Sequence, residues 1–184
     1  YTTGASGVVV AVAAPSKGTN LDYVKALNVD SHVTVMKKAL HVRPVRLCSS
    51  MAVYGSSKKN MPFKETSLAQ PLSPYGISKL TAEKYILLMA PKMGIDPVIL
   101  RLFNVFGVGQ TYTPYVGVIT IFINNILKNK ISKIFGNGMQ QRDFVHVEDV
   151  AKSFLLAAES KKAVNNIFNI GTGKSISVKK LFEI

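Results

Sequence analysis

The sequence predicts an α/β protein built on a mainly parallel sheet, and two observations carry that prediction. The run Val8–Ala14, VVVAVAA, is apolar and largely β-branched without alternation, the pattern of a strand buried on both faces. After it, short apolar runs alternate with longer stretches of helical spacing, the order expected of a parallel sheet with crossover helices. No internal repeat or low-complexity segment interrupts this order.

Each element has its own signal. Leu21, Val24, Leu27, Val29, Val33, Val35, Met36 and Leu40 recur at mostly three- and four-residue steps and predict a helix over Asp22–Leu40. Val45–Ser49 reads as a second strand, ending at Ser49 and Ser50, before a Ser-, Lys-, Pro- and Asn-rich loop over Gly55–Leu72. A helix over Pro74–Met89 and a strand over Pro97–Phe103 follow, and Gly107 and Gly109 mark a loop. Length and the spacing of Phe122, Ile123, Ile126 and Leu127 favour a helix over Val116–Lys128. Lys133–Phe135 is expected to be a short strand closed by a turn at Gly136, Asn137 and Gly138. A helix over Val147–Ser160, a strand over Asn166–Ile170 and the start of a helix over Ser177–Ile184 complete the order.

The chain has 184 residues, 47% of them hydrophobic and 18% charged, which is material for one core and excludes global disorder. One cysteine, Cys48, cannot form an internal disulfide, and no Cys/His cluster suits structural zinc. No apolar run approaches the roughly 18 residues of a membrane span, and no basic region precedes the Val-rich run as in a signal peptide. The expectation is a soluble, cytoplasmic protein without a membrane partner. The net charge of +13 raises the question of nucleic acid. Lys37-Lys38, Lys58-Lys59, Lys161-Lys162 and Lys179-Lys180 are scattered pairs without interleaved aromatics, so solvated surface is expected and no nucleic-acid partner.

Chemistry concentrates in Ser73-Pro74-Tyr75-Gly76-Ile77-Ser78-Lys79. Ser73 suits an N-cap and Pro74 the first helical position, so Tyr75 lies in the first turn with Lys79 one turn later on the same face. An ammonium group and the positive end of a helix both favour phenolate, so Tyr75 is expected to have a depressed pKa and to serve as a general base. Ser50 lies at the carboxyl end of the preceding strand, where parallel sheets place ligands, and its hydroxyl suits a substrate oxygen. The bland alternative for Ser49 and Ser50 is a strand end whose hydroxyls satisfy backbone groups. His146 is expected to start a helix with Glu148 and Asp149 in its first turn, and not to bind metal.

Six ordered stretches carry a resemblance: Leu27-Asn28-Val29; Cys48 to Gly55 (CSSMAVYG); Ser73 to Lys79; Leu100 to Gly107 (LRLFNVFG); Ile134 to Gly138 with Arg142 to Asp149 (RDFVHVED); and Phe168 to Gly173 (FNIGTG). Together they resemble the extended short-chain dehydrogenase/reductase family, specifically its NAD-dependent nucleotide-sugar epimerases and dehydratases. The resemblance implies a Rossmann-like doubly wound parallel sheet with part of a smaller substrate lobe. It divides the chain into a partial NAD-binding domain, residues 1–105 and 143–173, and a partial nucleotide-sugar lobe, residues 106–142 and 174–184.

The same resemblance assigns roles. Ser50, Tyr75 and Lys79 match the catalytic set, with Tyr75 as acid/base, Lys79 also at the nicotinamide ribose and Ser50 on a sugar hydroxyl. Ala13, Ala14, Asn28 and Ser49 would join Tyr75 and Lys79 in facing NAD. Asn104 would contact the diphosphate of a nucleotide-diphosphate sugar, Phe135 would pack near the base, and Arg142 would pair with the diphosphate, which suits its planar fork. A homodimer is the family's usual assembly.

Departures from the family pattern matter as well. No GxxGxxG turn precedes the first strand, since Thr3-Gly4-Ala5-Ser6-Gly7 runs straight into it, so the first strand-helix unit and its glycine loop are expected to be missing. The chain also stops within the helix after NIGTG, so it reads as the middle of a longer enzyme, and weak or no NAD binding is expected of it. Met51 and Ala52 stand where a dehydratase carries an acid. That points to C4 epimerisation of the UDP-glucose/UDP-galactose type through a 4-keto intermediate. The alternatives are another nucleotide-sugar enzyme of the family (reductase, decarboxylase or dehydratase) and a non-catalytic Rossmann-like binding protein.

Overall fold

A computed structural model describes residues 8–10, 45–56, 62–110, 112 and 117–184, the first three by backbone alone. The predicted helix over 22–40 and the site candidates Ala13, Ala14 and Asn28 lie outside the described residues. Among those described, β1 (Val8–Val10), β2 (Val45–Ser50), β3 (Pro97–Leu102) and β6 (Ile167–Ile170) form a four-stranded sheet in the order β1-β2-β3-β6. Every pairing in it is parallel, with Leu47 beside Ile99 and Leu100 beside Phe168.

Helix α1 (Pro74–Met93) covers one face, where Val45, Leu47 and Ile99 pack with Ala82, Ile86, Ala90 and Ile95. Helix α3 (Val147–Glu159) covers the other, and there Val98 and Leu100 pack with Ala157 and Ala163. Successive residues of β3 therefore serve opposite cores, and this is why its first four residues, PVIL, are apolar without alternation. Burial of each such Leu or Ile contributes about 1.5–3 kcal/mol. Arg46, beside Val98 in register, is also buried: its guanidinium donates to the Ala158 carbonyl at 3.1 Å, in the last turn of α3. A cation is favourable at that helix end.

Two boundaries differ from expectation. α1 runs past Met89 to Met93 and takes Pro91 into its last turn, although proline has no N–H to give the Leu87 carbonyl. Gly94 then stops it in the left-handed conformation, its N–H bonded to the Ala90 carbonyl. At the end of β3 the chain does not enter a loop at once: it crosses into a second sheet as β4 (Asn104–Phe106). β4 pairs in parallel with β5 (Gln141–His146), and β5 pairs antiparallel with β7 (Ser175–Ser177). This sheet draws strands from both sides of the expected lobe boundaries.

The expected strand Lys133–Phe135 does not form. Residues 131–135 have no regular structure and no strand partner, although Gly136 and Gly138 do turn the chain with positive φ. Helix α2 (Val118–Leu127) and a short α4 (Val178–Phe182), capped by the Ser177 hydroxyl, complete the described elements. No helix among the described residues is long and apolar enough to cross a membrane.

Candidate active site

The carboxyl end of β2 meets the first turns of α1. Ser73 caps α1 by accepting from the Gly76 N–H at 3.0 Å, and Pro74 occupies the first turn, as the sequence requires. The helix can dock this closely only because residue 76 is glycine. A Cβ there would lie 2.5 Å from the Ala52 carbonyl oxygen and 2.9 Å from Pro71 Cβ. That contact brings Tyr75 to Ser50, whose side chains hydrogen bond. Ser50 also caps the short 3-10 turn Met51–Val53, accepting from the Ala52 N–H at 3.2 Å, which is the strand-end reading of its hydroxyl.

Lys79 lies one turn on, 1% exposed, with Nζ 5.7 Å from the Tyr75 ring centroid. Its ammonium donates to the Cys48 carbonyl at 3.2 Å. Ser50, Tyr75 and Lys79 are thus brought together.

The expected ionisation of Tyr75 is corrected. Burial pushes its phenol above the ordinary value, the Ser50 hydrogen bond pulls it partly back, and the neighbouring Cys48 adds to the rise. Desolvation of the anion outweighs the attraction that spacing alone suggested. Burial likewise lowers Lys79, against a smaller opposing influence of Cys48. For lysine the native state then binds fewer protons than the unfolded chain below the ordinary value of 10.5, so stability rises with pH through that window. For Tyr75 the sign is reversed, and stability falls above about pH 10 as the unfolded chain ionises first. Lys79→Met is therefore expected to gain stability relative to the parent at pH 7 and to lose that relative gain as pH approaches 10. Urea midpoints of both proteins across that range provide the check, and a difference independent of pH would contradict it.

Ser49, expected to face NAD, is 3% exposed and its hydroxyl donates to Glu83 on α1. The odd-numbered residues of β2 point to the α1 side, so Ser49 shares that face with Arg101, its register partner on β3. Arg101 in turn donates to both Glu83 oxygens, at 2.9 and 2.6 Å, and to the Tyr54 hydroxyl at 2.7 Å. The Tyr54 hydroxyl donates to Asn169 Oδ1 at 2.7 Å, and its ring stacks on Phe63 with centroids 4.7 Å apart.

The other candidates lie at the second sheet or beyond it. Asn104 donates through its side-chain amide to the Asp143 carbonyl at 3.0 Å, bridging β4 and β5. Arg142 is exposed and forms no ion pair among the described residues; its guanidinium donates to the neighbouring Gln141 carbonyl. Phe135 is 84% exposed, so its ring is presented to solvent and not packed in a core. His146 does cap α3, accepting from the Glu148 N–H. Asp143, which the sequence reading passed over, accepts from the Thr172 N–H and hydroxyl and from the Gly173 N–H at 2.7–2.9 Å. It ties the RDF and NIGTG stretches into one corner. No local signal in the sequence marked it, because its partners lie 29 and 30 positions away.

A parallel sheet covered on both faces, with a hydroxyl-phenol-ammonium set at a strand's carboxyl end, defines a Rossmann-like α/β protein. Residues 3–171 match the family model described as the NAD-dependent epimerase/dehydratase family, and the chain belongs to that family. A Methanocaldococcus jannaschii protein provisionally named UDP-glucose 4-epimerase is 49% identical over 136 residues, covering 74% of this chain and 43% of the relative. An Escherichia coli dTDP-4-dehydro-6-deoxyglucose reductase is 36% identical over 135 residues, covering 73% of this chain and 42% of the relative. Among solved structures, the UDP-N-acetylglucosamine 4-epimerase of Methanobrevibacter ruminantium, in complex with UDP-N-acetylmuramic acid, superposes with a TM-score of 0.89 at 37% identity. It is matched over 97% of this chain and 58% of its own. The chain thus spans about half the length of the relatives it matches.

Proposed function

We propose that this protein is an NAD-dependent nucleotide-sugar epimerase acting at C4, with UDP-glucose and UDP-galactose as the reference substrate pair. The observation that carries the reading is the convergence of Ser50, Tyr75 and Lys79 at the carboxyl end of β2, where parallel sheets bind ligands. This donor set fits the hydroxyl-rich ribose and sugar of NAD and a nucleotide sugar. NAD, when bound, supplies the hydride acceptor and donor. Ser50 holds the C4 hydroxyl; Tyr75, protonated in the unliganded protein, acts as the base only after it has ionised beside Lys79 in the loaded site. It then takes up the C4 proton and later returns one, and Lys79 holds the ribose and offsets that charge. Exposed Arg142 serves the diphosphate, Asn104 orients it from the β4 edge, and Phe135 offers an aromatic face to the base. The four-stranded sheet, within 1–105 and 143–173, holds the dinucleotide, while residues 106–142 and 174–184 serve the sugar.

The second reading, a nucleotide-sugar reductase, is favoured by the likeness to the E. coli reductase. A panel of nucleotide sugars deuterated at C4 separates the two. Epimerase chemistry is expected to interconvert C4 epimers with deuterium retained and no net absorbance change at 340 nm. Stoichiometric cofactor oxidation or reduction without epimer exchange would overturn the first reading in favour of the second.

A further inference from the structure

Three consecutive residues of β2 are gripped by three residues of one helix. The Cys48 carbonyl accepts from Lys79, the Ser49 hydroxyl donates to Glu83, and the Ser50 side chain bonds Tyr75. Tyr75, Lys79 and Glu83 stand at successive four-residue steps, so a shift of α1 along its axis or about it moves all three together. Only Glu83 of the three has no place in the proposed chemistry. Its carboxylate is 1% exposed, holds Ser49 on one oxygen and is clamped on both by the Arg101 guanidinium, which also reaches Tyr54 and, through it, Asn169 of β6.

We propose that Glu83 is a positioning residue, which sets the register of α1 against the end of β2 through Ser49 and so fixes Tyr75 and Lys79 relative to Ser50. The proposal rests on the epimerase reading above for the roles of those three residues. Glu83 does not touch substrate. Its effect runs through the hydroxyl of Ser49, whose backbone lies between the two β2 residues that the catalytic pair contacts. A carboxylate clamped by Arg101 of β3 and holding Ser49 of β2 gives the helix a reference fixed to two adjacent strands, which apolar packing of Ile86 and Ala82 alone does not supply in direction.

The test uses Ser49→Ala, which removes the link while leaving the Glu83–Arg101 pair intact, with Glu83→Gln as a second variant and Ser49→Thr as the conservative control. In the NAD-loaded protein, Ser49→Ala and Glu83→Gln are expected to lower kcat by about tenfold to a hundredfold, the scale of a misplaced reacting group. KM is expected to stay within about twofold, since the substrate contacts are not removed. Carbon-13 NMR of the labelled Tyr75 ring is expected to show its titration displaced in both variants, and Ser49→Thr should restore both kcat and titration. Variants that lose thermal stability but keep kcat, pH profile and Tyr75 titration would overturn the proposal. If Tyr75→Phe retains full activity, the epimerase reading itself fails; if Tyr75→Phe is inactive while Ser49→Ala is silent, only the positioning role falls.

Discussion

Tyr75→Phe is expected to lower kcat for C4 epimerisation by about two to four orders of magnitude, the usual contribution of a positioned acid/base group. The fold should survive the change. The ring stays half-buried beside Lys79, and what is lost is one hydrogen bond to Ser50, worth about 1 kcal/mol. The direction of the Tyr75 shift also fixes a pH signature. Burial holds the phenol protonated in the unliganded protein, so the parent loses stability above about pH 10 in a way the phenylalanine variant does not. The checks are steady-state kinetics with UDP-glucose or UDP-galactose and urea midpoints at neutral and alkaline pH. Activity within about threefold of the parent would remove Tyr75 from the acid/base role.

Strand β3 of the large sheet was legible because burial on both faces imposes an apolar run without alternation, as in PVIL at its start. The second sheet was not. Its strands β4 and β7 are three residues each, and β5, QRDFVH, is polar at its exposed start. Such strands exist because partners meet in space, and composition carries little trace of that. Lys133–Phe135 shows the converse: with the β-prone pair Ile134 and Phe135, it finds no strand partner and stays irregular.

Ser50, Tyr75 and Lys79 were readable because cap, spacing and strand end are local features. The Ser49–Glu83–Arg101–Tyr54–Asn169 network was not, although Tyr54, Arg101 and Asn169 all lie in stretches that the sequence reading singled out. Its links join residues 18 to 115 positions apart across a helix, three strands and a loop. The misjudged ionisation of Tyr75 has the same origin, since a sequence shows neighbouring charges but not the water that folding removes.

Arg101→Met is expected to destabilise the protein by about 3–5 kcal/mol, the cost of leaving a buried charge without its partner. Arg101 is 4% exposed and Glu83 1%, with two hydrogen bonds between them, so Glu83 would keep only Ser49. Burial disfavours the guanidinium's charge, but hydrogen bonds to Glu83 and Tyr54 outweigh it and raise the pKa above its ordinary value. The double variant Glu83→Leu/Arg101→Met removes both charges together. It should recover most of the loss, short by about 1–3 kcal/mol for the Ser49 hydroxyl left without its acceptor. Urea unfolding of the parent, the two single variants and the double variant forms a complete thermodynamic cycle. Strictly additive losses would show that the pair is not coupled. Recovery of stability without recovery of kcat would separate what the pair does for the fold from what Glu83 does for Tyr75.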